Sequence, residues 1–307
     1  METLSGAGRI HWGVMLAQGW KGEFAGLGQE QAWEAAVDWA RRAEDLGFDG
    51  VWAFDHFQPY PARDDSPVLE AWTTLAALSQ VTSRVVLGTL VSCAAYRPAA
   101  VTVKMAQNLQ VTSGGRFCFG AGAGWDEPEF ESLRIPYGTA GERSDRLEEV
   151  LGLARAADPG STPRTPLLVG GEGERRTLPS AVRYADLVNW QVGVEEFGRK
   201  SGVVTRLCEE AGRDPASLRR THAPNFQLFD SAREFRLWRE HPDRGMSAAE
   251  VDAYIRSRGA FYGTAGSVVQ TIDEYVDLGC AGFMVFCNGS PALAALEEFA
   301  SIVPSGI

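Results

Sequence analysis

Positive charge is in short supply: 29 lysines and arginines against 40 aspartates and glutamates leave a formal net charge of −11 over 307 residues. Nucleic acid and anionic membranes both demand a basic face, so neither is expected as a main partner. Small anionic ligands remain open, through local basic residues and backbone amides. Cysteine is scarce too. The five thiols (Cys93, Cys118, Cys208, Cys280 and Cys287) are dispersed, odd in number and never spaced as CxxC. They read as reduced, buried and structural, which suits a cytoplasmic protein. No apolar run is long enough to cross a bilayer, and Met1 to Arg9 lack the apolar core of a signal peptide. His11, His56, His222 and His241 are too scattered to propose ligands and no HExxH occurs, so no metal is expected. Nor is there a GxSxG elbow to support a serine hydrolase.

What is present is alternation. Apolar runs at 10–16, 51–54, 84–91, 116–122, 167–169, 187–190, 221–229 and 283–287 read as eight strands. Between them lie helical patterns at 29–46, 68–81, 99–111, 143–154, 175–184, 195–211 and 267–278. A polar excursion, Ser231 to Arg258, is expected to be partly helical. Gly47 and Gly279 each end a helix just before a strand. Eight strands separated by helices favour a closed (β/α)₈ TIM barrel over an open sheet, and with no linker visible residues 1–307 read as a single domain.

Barrel chemistry sits where strands end. Strand two ends at Asp55-His56, an acid–imidazole pair emerging from the apolar run Val51-Trp52-Ala53-Phe54. Ser92 and Cys93 follow strand three, Gly122 to Trp125 strand four, Gly170 to Glu174 strand five, and Asn189 to Gln191 strand six. Gly120-Ala121-Gly122-Ala123-Gly124-Trp125 fails the GxGxxG spacing because Trp125 holds the third position, so a Rossmann site is not indicated. Its glycines would still let a flat ring approach the backbone. Gly170-Gly171-Glu172-Gly173-Glu174-Arg175-Arg176-Thr177 runs from a turn into a helix and reads either as a phosphate cradle or as plain loop geometry. It lacks the Walker lysine and hydroxyl. Trp20, Trp125 and Trp190 lie just past strand ends, where a ring could line an aromatic-binding cavity.

These residues carry a resemblance. Ala43 to Trp52 running into Asp55-His56-Phe57, Leu69 to Leu75, Arg84 to Val91, Ser113-Gly114-Gly115-Arg116 and Gly120 to Trp125 follow in one order. Glu142-Arg143, Arg146 to Glu149, Gly170 to Leu178 and Arg183-Tyr184-Ala185-Asp186 come after them. In this order the chain resembles the luciferase-like flavin and deazaflavin oxidoreductases, particularly the bacterial members that use coenzyme F420.

The resemblance implies a reduced deazaflavin in the barrel mouth, with flavin mononucleotide as the alternative cofactor. Asp55 and His56 would lie beside the ring, His56 as proton donor or acceptor. A non-proline cis peptide would fall at Leu90–Val91, after Thr89, and press on the back of the ring. Gly122, Gly124, Trp125 and Asn189 would line the cavity. Gly170, Gly171, Glu172, Gly173 and Arg175 would hold the phosphate. The implied activity is hydride transfer to a small unsaturated organic substrate such as an imine or enone; the alternatives are a flavin monooxygenase or a non-catalytic relative. A homodimer joined through the first half of the chain is implied as well. One departure stands out: between Glu149 and Pro166 relatives carry a longer insertion over the active site, and here only Val150 to Thr165 intervene. The shortening should open the mouth, or leave Ser231 to Arg258 or a partner subunit to close it.

Overall fold

The computed structural model describes residues 9–157, 164–241, 245–287 and 292–303. Its strands are β1 (His11–Met15), β2 (Gly50–Ala53), β3 (Val86–Thr89), β4 (Ser92–Cys93), β5 (Phe117–Gly122), β6 (Leu167–Gly170), β7 (Leu187–Trp190), β8 (Arg219–His222), β9 (Asn225–Leu228), β10 (Phe261–Gly263) and β11 (Cys280–Cys287). The helices are α1 (Gln29–Asp45), α2 (Ala71–Leu78), α3 (Ala99–Thr112), α4 (Glu127–Ser132), α5 (Ala140–Ala156), α6 (Thr177–Tyr184), α7 (Val194–Glu210), α8 (Ala232–Arg239), α9 (Ala248–Arg258), α10 (Ala265–Asp277) and α11 (Ala292–Ile302). Parallel pairing runs β1–β2–β3–β5–β6–β7–β8–β11 and returns from β11 to β1, which closes the expected (β/α)₈ barrel. No described helix is long and apolar enough to cross a membrane.

Two departures shape the mouth. The seventh strand, expected unbroken from Thr221 to Phe229, splits into β8 and β9 around Ala223-Pro224. Proline has no N–H to give to the ladder, yet its carbonyl still accepts from Phe286 N at 2.8 Å. β9 then pairs with the end of β11, and β10, which the pattern did not reveal, pairs with β9. The polar excursion between them supplies α8 and α9. The 158–163 part of the shortened connection lies outside the described residues.

Helices and barrel wall share one apolar layer; a second fills the lumen with Met15, Trp52, Val86, Leu90, Cys118, Leu168, Leu187, Met284 and Phe286. Trp52 dominates that lumen, and its own strand and the two beside it give way to it. A Cβ on Gly13, Gly50 or Gly88 would stand 2.4, 2.9 or 2.3 Å from the Trp52 ring. All five cysteines are unpaired and buried, as expected. Because interiors are close-packed, Gly88→Ala should cost about 1–3 kcal/mol through overpacking. Urea denaturation should show that loss, with partial recovery when Trp52→Phe is added; additive losses would mean the indole is not what Gly88 accommodates.

Candidate active site

Asp55 leaves β2 buried, with both carboxylate oxygens engaged. Arg97 donates to them at 2.7 and 2.9 Å, and Ser92 Oγ and the Cys93 N–H donate to Oδ2 at 2.9 and 3.0 Å. Arg97 also donates to Glu70 at 2.8 Å, and Glu70 caps α2 by accepting from the Trp72 and Thr73 N–H groups. A negative side chain at a helix N-terminus is favourable on its own. Asp55 therefore ties the loop after β2 to β4, to the loop that follows β4 and, through Arg97, to α2.

His56 faces a different partner. Its Nδ1 lies 2.8 Å from Glu129 Oε2, and Glu129 is fully buried at the start of α4. Glu129 also accepts from Tyr96 Oη at 2.5 Å and from the Phe57 and Gln58 N–H groups at 2.8 and 3.1 Å. Burial would raise its pKa, but the bonds from His56, Tyr96 and the Phe57 amide outweigh it and hold the carboxyl below its ordinary value. A carboxylate on Nδ1 fixes the tautomer, so Nε2 is the nitrogen available for proton exchange. Nε2 has no hydrogen-bond partner among the described residues. Asp126 completes a compact group: His56, Asp126 and Glu129 each place a donor atom within 4.8 Å of the others. Each charge is already answered, Asp126 by Arg63 and Glu129 by His56, so the cluster reads as a proton network rather than a metal cradle.

Aromatic rings wall this group. Trp20, from the loop after β1, stacks face to face on His56 at 4.4 Å with 4° between planes. Trp125 meets His56 edge-on at 5.8 Å and Tyr60 at 5.5 Å, and it is 54% exposed, as a mouth residue would be. Trp190 does not join them: it is 1% exposed and packs against Phe197 of α7. As the last residue of β7 its side chain turns to the helix layer, which corrects its expected place at the cavity.

The glycine segments divide into floor and rim. The Leu90–Val91 peptide is cis. Val91 fits between two strand ends, since a Cβ on Gly122 or Gly170 would stand 2.6 or 2.7 Å from its methyls. Thr89 is fully buried, and its hydroxyl donates to Gly120 O at 2.7 Å and accepts from Gly120 N at 3.0 Å, so that side chain is spent within the wall. The Asn189 amide is likewise held in the barrel, donating to Thr221 Oγ1 at 2.9 Å. Gly124, with φ +85°, lies against Cys93 and Phe130. Farther out, Glu172, Gly173 and Arg175 line a cleft of about 480 Å³ against Ala140, Gly141 and Ser144 at the start of α5, and Gly171 adjoins it. Arg176 is paired with Asp145, whereas Arg175 makes no ion pair among the described residues. Behind the segment, the buried Lys200 donates to Glu172 O at 3.0 Å and pairs with Glu174 and Glu196, a brace from α7.

The excursion reaches the rim. Ser257 O accepts from the Gly193 N–H at 2.9 Å, Tyr254 Oη accepts from Asn225 Nδ2 at 2.8 Å, and His222 Nε2 lies 2.9 Å from Gly259 O. The end of α9 is thus seated on the ends of β7 and β8.

Glu129, Tyr96, Lys21, Tyr60 and Lys200 escaped the reading of the sequence. Glu129 had a signal, the acidic run Asp126-Glu127-Pro128-Glu129 directly after the fourth barrel strand, where catalytic groups gather.

A (β/α)₈ barrel with a half-buried imidazole on a buried carboxylate and a glycine cradle at one mouth defines a cofactor-dependent enzyme class. Residues 19–235 match the family described as luciferase-like monooxygenase, and the chain belongs to that family. An F420-dependent hydroxymycolic acid dehydrogenase of Mycobacterium tuberculosis is 27% identical over 292 residues, covering 83% of this chain and 79% of that protein. An F420-dependent glucose-6-phosphate dehydrogenase of Intrasporangium calvum is 36% identical over 145 residues, 46% of this chain and 42% of that protein. Among solved structures, an F420-dependent secondary alcohol dehydrogenase in complex with an F420–acetone adduct superposes with a TM-score of 0.77 at 18% identity, covering 96% and 98% of the two chains. That likeness shows the fold.

Glu129→Gln should lower stability at pH 7 by about 1–3 kcal/mol, the value of hydrogen bonds to a buried charged acceptor. Since the folded carboxyl titrates below its ordinary value of 4.5, its stabilisation is present above that pH and fades as pH falls through the folded value. The melting difference between wild type and variant should therefore shrink from pH 7 toward pH 3; a constant difference would show that the loss is not ionic.

Proposed function

We propose that the protein is an F420-dependent oxidoreductase that moves hydride between the deazaflavin and a small organic substrate with a hydroxyl–carbonyl pair. The carrying observation is the His56–Glu129 pair, buried under Trp20, with Nε2 free at the mouth. The residues fit the cofactor. Two strand ends are reduced to bare backbone around Val91, which suits a planar ring, and the exposed Gly171–Gly173 turn beside Arg175, which makes no ion pair among the described residues, suits a phosphate.

When bound, the deazaflavin supplies hydride chemistry, and its carbon in place of the reactive flavin nitrogen disfavours reaction with oxygen. In the oxidative direction the substrate hydroxyl gives its proton to His56 Nε2 while the carbon–hydrogen bond gives up hydride and the carbonyl forms. Glu129 stabilises the resulting imidazolium and Tyr96 holds Glu129. The reverse direction returns the same proton, and reduction of an imine or enone would draw on it too. Asp55 and Arg97 position the His56 loop. Trp20 and Trp125 exclude water, Lys200 braces the phosphate segment, and the end of α9 narrows the entrance.

Titration should give tight binding of F420 and weak binding of flavin mononucleotide, with F420 affinity falling about tenfold in Arg175→Ala, near 1.4 kcal/mol. His56→Ala should lower kcat by about 10²–10⁴-fold at saturating cofactor. Tight flavin binding with oxygen consumption would replace this reading with a monooxygenase, and intact turnover in His56→Ala would remove the histidine from the mechanism.

A further inference from the structure

The polar excursion brings one phenol to the inner side of the mouth. Asn225 stands in register with Phe286 of β11, and Phe226 with Cys287. Partners in register on parallel strands send their side chains to the same face. Phe286 belongs to the lumen layer, whereas Cys287 and Phe226 belong to the layer between wall and helices. The buried Asn225 therefore points inward, beside a ring that meets Phe54 at 5.8 Å. Phe54 in turn meets Trp20, the indole stacked on His56. Tyr254 reaches Asn225 from α9, whose end is fixed where Ser257 O accepts from the Gly193 N–H and Gly259 O faces His222.

The contact uses only half of the phenol. Tyr254 Oη accepts from Asn225 Nδ2 at 2.8 Å and gives its own proton to no acceptor among the described residues. Burial raises the phenol above its ordinary pKa, so it stays a donor at neutral pH. Tyr254 keeps 38% of its surface exposed, so solvent meets that O–H in the free protein. We propose that Tyr254 is a specificity-determining residue that donates to a second oxygen of the substrate, which is therefore an alcohol or carbonyl compound carrying a further hydroxyl, ether or carbonyl oxygen. The inference rests on the functional reading above, because His56 marks where the reacting carbon lies. A substrate with a single oxygen displaces solvent from the phenol and leaves its O–H unmet, which costs affinity; a second oxygen takes the place of the solvent. Asn225 orients the phenol from the strand and acts as a positioning residue.

Tyr254→Phe removes the oxygen and keeps the ring. With F420 as acceptor, 2-hexanol is compared with 2,3-, 2,4- and 2,5-hexanediol as hydride donors. In wild type at least one diol should exceed 2-hexanol in kcat/KM by about tenfold, the worth of one neutral hydrogen bond. In Tyr254→Phe that ratio should fall to near one, chiefly through a higher KM for the diol, with F420 affinity retained. Diols no better than 2-hexanol in wild type, or a preference kept in the variant, would overturn the proposal. Hydrogen exchange at the Gly193 amide reports whether α9 stays seated. Lost protection there, with an equal fall for all four alcohols, would also overturn it and leave Tyr254 a structural prop. The second arm needs no turnover. Ligand-observed NMR titrations of the same alcohols, into F420-loaded and cofactor-free protein, should show the same preference and its loss in the variant. Failure of F420 to bind, or of every alcohol to reduce it, would sink the functional reading alone, since the cofactor-free titrations still decide for or against the Tyr254 contact.

Discussion

The buried carboxylate of Glu129 is the constraint on which the mouth depends. It accepts from an imidazole, a phenol and two backbone amides, drawn from the loops after β2 and β4. A charge removed from water is tolerable only when its lone pairs are met, and here they are. The arrangement converts a cost of burial into order: His56 cannot turn, Phe57 and Gln58 cannot drift, and the start of α4 is pinned beneath them. Asp55 does the same one layer down, with Arg97 as its partner. Two adjacent residues thus take opposite duties, the first anchoring the loop and the second offering a nitrogen to the mouth.

This division explains what could be read from the chain. The barrel was legible because buried parallel strands are near-continuous apolar runs, and helices with a 3.6 period separate them. The cis bond at Leu90–Val91 followed from a resemblance carried by local motifs, and the place of His56 at a strand end from the order of the strands. Glu129 was not legible, because its partner is 73 positions away and pairing at that separation leaves no periodic trace. Thr89 and Asn189 lie in the segments expected, but their side chains close hydrogen bonds within the wall. Position along a strand predicts which level of the barrel a residue occupies; it does not predict whether a neighbour has already claimed its polar atoms. β10 and the break at Pro224 were hidden because a three-residue strand beside a polar excursion carries too little apolar pattern.

The aromatic wall serves several ends at once. Trp20 stacks on His56, carries Lys21 on its face, and meets Phe54 at 4.3 Å. A large flat ring can do this because its faces attract cations while its edges pack against other rings. The same ring therefore ties the His56 imidazole, the Lys21 ammonium and the lumen-side Phe54 into one wall.

The excursion between β9 and β10 has an architectural consequence. Since those two strands pair with each other in parallel, the chain leaves the end of β9 and must cross back to the start of β10, and α8 and α9 lie in that crossover. That crossover lies outside the eight-strand ring and touches its rim where Ser257, Tyr254 and Gly259 meet Gly193, Asn225 and His222. A change of length there would alter what flanks the ends of β7 and β8 without reaching the His56–Glu129 pair on the other side of the mouth.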